Sequence, residues 1–76
     1  AAVALAQIGP DAQAAVPPLI HLLQDPDWAV RRQAAVTLGR IGPAARSARS
    51  ALEKLTHERD RLVSSAAQEA LKRIGP

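Results

Sequence analysis

The sequence predicts an all-α protein, an α-solenoid of stacked helical hairpins about two and a third repeats long. Three observations carry this. The triplet Ile-Gly-Pro recurs at Ile8-Gly9-Pro10, Ile41-Gly42-Pro43 and Ile74-Gly75-Pro76, so a period of 33 residues is met twice; a fixed period of that size marks a helical repeat array. Aligned on the triplet, the columns Ala1/Ala34/Ala67, Leu5/Leu38/Leu71 and Ile8/Ile41/Ile74 stay apolar at i, i+4 and i+7, which is one stripe of an α-helix. The stretch Asp25 to Pro43 carries both ends of such a helix, with acidic residues and proline at its start and Gly-Pro at its stop.

Taken in order, residues 1–10 read as the tail of one repeat, 11–43 as a whole repeat and 44–76 as a second. The chain begins at Ala1, without Met and inside a unit, and so reads as a fragment of a longer array. The first helix of the first whole unit is expected from about Pro17 to Gln24, because proline removes an N–H and clashes with the preceding turn except near a helix start. Asp11 is expected to cap a loose turn before it. Leu19 and Leu22 align with Leu52 and Leu55 of the next unit, where Glu53 and Thr56 replace Ile20 and Leu23 and predict a more solvated outer face. The longer second helix is expected to start with Asp25 as N-cap, Pro26 in the first helical position and Asp27 adding charge favourable to the helix dipole. Gly42 suits a left-handed C′ position, and Pro43 blocks continuation. Glu58-Arg59-Asp60 opens the corresponding helix of the last unit.

Seventy-six residues make at most one small domain, whose margin of stability is thin. Its apolar fraction of 47% comes from Ala, Leu, Val and Ile, with Trp28 the single aromatic. Such a core lets helices approach closely but supplies little area per residue. The absence of cysteine excludes disulfides and thiolate metal sites. No segment has the length of an apolar membrane span or the layout of a signal peptide, which points to a soluble cytoplasmic protein that does not engage membranes. The net charge of +3, from eight Arg and two Lys against seven acids, is compatible with anionic partners without specifying one.

With Asp25, Val30-Arg31, Ala34-Ala35, Leu38-Gly39 and Ile41-Gly42-Pro43 in hand, the unit resembles a HEAT-like repeat of the short bacterial type also found in phycobilisome lyases and designed HEAT-like scaffolds. The pattern D-x-x-x-x-V-R-x-x-A-A-x-x-L-G-x-I-G is matched best in the middle unit and echoed over nearly the whole chain. It is specific for fold and uninformative about ligand. The resemblance implies a fragment of a right-handed superhelix whose second helices line the concave surface. It also implies structural roles for Gly9, Gly42 and Gly75 as helix stops, and for Asp25 and Arg31 in bonds along the turn and to neighbouring repeats. The last unit departs from the pattern, with Glu58 in place of the Asp and Ser64 in place of the Arg.

No catalytic constellation emerges. The carboxylates of Asp25 and Asp27 are explained by their place at a helix start. His21 and His57 lack the i, i+4 partner of a helical zinc site and read as solvated surface residues. Ser47, Ser50, Ser64 and Ser65 have no companion base at a recognisable spacing. Gly39 reads as a close-packing position between helices and not as part of a phosphate loop. Neither an enzymatic activity nor a cofactor nor a metal is expected.

One surface remains. At about 100° per residue, Val30, Ala34, Thr37 and Ile41 fall together, flanked by Ala35 and Leu38, and form the side expected to be buried. Trp28, Ala29, Arg32, Gln33, Val36 and Arg40 fall on the other side, the one the resemblance turns toward the concavity. The 33-residue offset carries that set to Arg61, Leu62, Ser65, Ala66, Glu69 and Arg73, and in the partial unit to Val3 and Gln7. A mixed apolar and basic stripe without catalytic groups predicts a protein-interaction scaffold, with Trp28 as an anchor and the arginines meeting acidic groups of a peptide or protein, since Trp and Arg are enriched at binding hot spots. DNA held in a basic concavity is the competing expectation, weakened by few basic residues per repeat and no aromatic platform beyond Trp28. A role within a bilin-lyase-like protein rests on family analogy alone. The first unit lacks its first helix, so self-association through an open end at Leu5 and Ile8 is also expected.

Overall fold

The computed structural model describes residues 12–75, and these contain four α-helices, one 3₁₀ segment and no strand. The expectations placed on Val3, Gln7, Gly9 and the Leu5/Ile8 stripe lie outside the described residues. Helix α1 spans Ala12–Leu22, α2 spans Trp28–Ile41, the 3₁₀ segment covers Gly42–Ala48, α3 spans Arg49–Leu55 and α4 spans Arg61–Ile74.

Helix α1 begins five residues before the expected start, with Pro17 and Pro18 inside it. Burial explains how the helix accommodates them. Ala15, Val16, Leu19 and Leu23 form its buried side, so the first turn is held by packing, while both proline rings are exposed. The carbonyls that lose their helical donors belong to Gln13 and Ala14, which are also exposed and open to water. After Leu22 the turn tightens, Leu23 N–H reaching both Leu19 and Ile20 carbonyls at 3.1 Å.

The start of α2 differs from expectation by two residues. Asp27, in an extended conformation, is the N-cap, and its Oδ1 accepts from Ala29 N–H at 2.9 Å. Asp25 acts one step earlier: its Oδ1 accepts from Asp27 N–H at 2.9 Å. Pro26 therefore lies ahead of the cap and not in the first helical position. The period recovers the pattern, because Asp60, 33 residues after Asp27, caps α4 by accepting from Leu62 N–H at 2.9 Å and Val63 N–H at 3.3 Å. Both long helices end on a glycine with positive φ, Gly42 at 76° and Gly75 at 85°. Their ψ values of −143° and −177° are not those of the left-handed helical conformation expected at C′. This mirror-extended region is essentially open to glycine alone.

The second unit reaches its own first helix by a broken path. The 3₁₀ segment kinks at Ala45 (φ −92°, ψ 19°) before α3 begins. The burial pattern nevertheless repeats: Ala48 and Leu52 are buried, as are Ala15 and Leu19 one period earlier.

These elements form a slab measuring 34 × 27 × 15 Å, thin enough for two helix layers. Helices α2 and α4 form one layer; α1 with the 3₁₀ segment and α3 form the other. The core between them is small-sided, built on Leu19, Leu38, Leu52 and Val63 with Ala34, Ala35, Ala45, Ala48 and Ala67. Of the side of α2 expected to be buried, Ala34, Ala35, Thr37 and Leu38 are buried, while Val30 and Ile41 are half-buried. Thr37, the one buried polar side chain, donates from Oγ1 to the Gln33 carbonyl at 2.9 Å. Helices α2 and α4 run parallel and nearly touch at Gly39. A Cβ there would lie 3.1 Å from Ala70 Cα and 3.3 Å from Ala70 Cβ.

Candidate functional site: a groove between the second helices

The close approach at Gly39 shapes what lies above it. Where two parallel helices meet through Gly39, Ala35, Ala66 and Ala70, longer side chains on either side rise as walls. The result is a cleft of about 480 Å³. Arg32, Val36 and Arg40 line it from α2, and Leu62, Ser65, Glu69 and Arg73 from α4. Seven of the residues singled out from sequence are thus brought together. Trp28, Gln33 and Arg61 are exposed but do not line the cleft. Trp28 stands four residues before Arg32, one turn beyond the mouth and on the same helix face.

The spacing rule for α2 identified an exposed face but not its depth. Val36, expected at the surface, is half-buried because it leans into the cleft. Leu62 is 52% exposed and Trp28 43%, the two large apolar side chains most open to solvent among the described residues. The floor residues Ala35 and Ala70 were not singled out from sequence. Their signal was a run of small side chains at the flank of each apolar stripe, beside Gly39.

The electrostatics are unbalanced. Arg32, Arg40 and Arg73 face the cleft against Glu69. Glu69 Oε1 lies 3.7 Å from Arg73 Nε, an i, i+4 pair whose side chains are both 60% exposed. Such a pair contributes little to stability. Among the described residues neither Arg32 nor Arg40 has an acidic side chain within ion-pair distance. Arg31, next to Arg32 in sequence, faces elsewhere and is structural. Its Nη1 donates to the Asp25 carbonyl at 2.7 Å, and its Nε lies 2.8 Å from Glu58 Oε1 of the following unit. The carboxylate sits off the Nε–H axis, so this second contact is a charge pair and not an aligned hydrogen bond. The expected link along the turn therefore runs to the Asp25 backbone, and Glu58, the departure from the repeat pattern, supplies the acid for the link between repeats.

Chemistry is otherwise sparse. No group of three or more metal-ligating side chains occurs among the described residues, and no described helix is long and apolar enough to cross a membrane.

Two parallel second helices stacked on a layer of shorter first helices, repeated at 33 residues, define an α-helical repeat protein whose distinctive surface is the seam between units. The chain belongs to the HEAT repeat family: the model for HEAT repeats matches residues 1–72. Members of this family commonly serve as scaffolds for protein interaction and are generally not enzymes. No curated protein and no solved structure matches the chain.

Proposed function

We propose that this chain is a non-catalytic interaction scaffold that holds a peptide or a protein surface in the cleft between α2 and α4. The supporting observation is the cleft itself, in which apolar side chains left open to solvent sit among arginines not neutralised within the chain. Interface cores are built from such apolar contacts, and arginine is among the side chains most enriched around them. The reading moves the apolar anchor from Trp28, outside the cleft, to Leu62 and Val36. Nucleic acid is the less favoured ligand, since Glu69 stands within the cleft and no aromatic side chain lines it for a base to stack upon.

The test is capture of partners by the immobilised chain. Replacing Leu62, Arg40 and Arg73 together by Ala should abolish capture while the far-UV circular dichroism spectrum is unchanged, because all three side chains are exposed. Capture that survives the triple substitution would remove the cleft from consideration. Duplex DNA titrated at two salt concentrations separates the other ligand class, for which affinity would fall steeply with salt.

A further inference from the structure

We propose that the cleft is matched to an extended acidic peptide of the pattern acid-x-apolar-x-acid. The inference rests on reading the cleft as a binding face, and adds to it the ligand's charge, conformation and spacing.

The wall from α2 presents Arg32, Val36 and Arg40, at i, i+4 and i+8. Four residues of helix advance about 6 Å along the axis. In an extended chain, side chains on one face recur every second residue, about 6.6 Å apart. The two periods nearly coincide, so an extended segment lying along α2 can set an apolar side chain against Val36 with a carboxylate at Arg32 on one side and at Arg40 on the other. The opposite wall agrees with this order. Helices α2 and α4 run in parallel register, Gly39 facing Ala70 and Arg73, so Arg73 joins Arg40 at one end while Leu62 and Ala66 close over the middle and the Arg32 end.

Size and charge narrow the occupant. A cleft of about 480 Å³ is in the range of small-ligand sites. It takes a few residues of extended chain, whereas an α-helix with its side chains is about 10–12 Å across. Arg32 and Arg40 are free to accept carboxylates, and the one acid in the cleft is already beside Arg73. Arginine binds a carboxylate through paired N–H donors, a geometry that favours fixed spacing.

The experiment is an NMR titration of the ¹⁵N-labelled chain with three peptides blocked at both ends: Glu-Ser-Leu-Ser-Glu, its isomer Ser-Glu-Leu-Glu-Ser, and Glu-Ser-Ser-Ser-Glu. The first should shift the amides of Val36, Arg40 and Ala66 and bind about tenfold more tightly than either of the others, the size of effect expected from one charge-assisted contact. In Arg40→Glu that preference should disappear and return for Glu-Ser-Leu-Ser-Lys. Equal affinity for the two isomers would overturn the spacing while leaving the cleft as a binding face. Shifts caused by duplex DNA and by none of the peptides would overturn the peptide altogether. Shifts confined to residues outside the cleft would overturn both this inference and the proposed function on which it rests.

Discussion

Replacing Gly39 by Ala sets two well-understood effects against each other. Within a helix, Ala is favoured over Gly by about 1 kcal/mol, because glycine loses more backbone freedom on folding. Position 39 lies inside α2 with no positive φ, so local preference alone predicts a more stable protein. Packing predicts the reverse. The new methyl group would sit 3.1 Å from Ala70 Cα, a backbone atom in the middle of α4, and 3.3 Å from its Cβ. Neither can rotate away, so relief requires the two helices to separate over their whole contact. Overpacking of this kind costs about 1–3 kcal/mol. The balance is a loss of about 1 kcal/mol, which for a chain this short lowers the melting temperature by roughly 4–8 °C. Urea and thermal unfolding followed by far-UV circular dichroism measure it directly. A Gly39→Ala protein more stable than the parent would refute the claim that contact at this point fixes the spacing of the layer, and with it the origin of the cleft.

Three further substitutions probe other joints of the structure. Arg31→Ala should cost about 1–2 kcal/mol, since it removes both the bond to the Asp25 carbonyl and the pair with Glu58; a cycle with Glu58→Ala should show coupling of about 0.5–1 kcal/mol that weakens in salt. Asp60→Ala should cost about 1 kcal/mol by freeing the Leu62 and Val63 amides, and faster hydrogen exchange at those two positions would mark the cause as the lost cap. Thr37→Val should change unfolding free energy by less than about 0.5 kcal/mol, because the Gln33 carbonyl it abandons still accepts within the helix; a loss of several kcal/mol would show the hydroxyl to be essential.

The helical array and the exposed face of α2 could be read from sequence because both follow from spacing. A 33-residue recurrence and an i, i+4, i+7 stripe are properties of residue order, and the stripe places Ala34, Leu38 and Arg40 on the sides they occupy. What spacing does not contain is distance between elements. That Val36 sinks into a cleft, and that Trp28 stands outside it, depends on how near α4 comes at Gly39. The N-cap was ambiguous for a different reason. Asp25 and Asp27 have identical chemistry, and only the backbone conformation selects one; the aligned column Asp27/Asp60 carried the answer, whereas Asp25 aligns with Glu58. The proline pair misled because the general penalty assumes an interior site with no access to water. In α1 the affected carbonyls belong to exposed residues, and the burial of Ala15 and Val16 outweighs the lost bonds.

The Gly39 junction also bears on what can be laid beside α4. One period later, Gly39 becomes Lys72, Ala35 becomes Gln68 and Arg31 becomes Ser64. The step that carries α2 to α4 thus cannot be taken again from α4 by the same means: a long cation occupies the notch, an amide replaces the methyl beside it, and the guanidinium that would grip the next hairpin is gone. Any neighbour on that flank, whether chain or separate molecule, has to sit farther off and meet a hydrophilic wall.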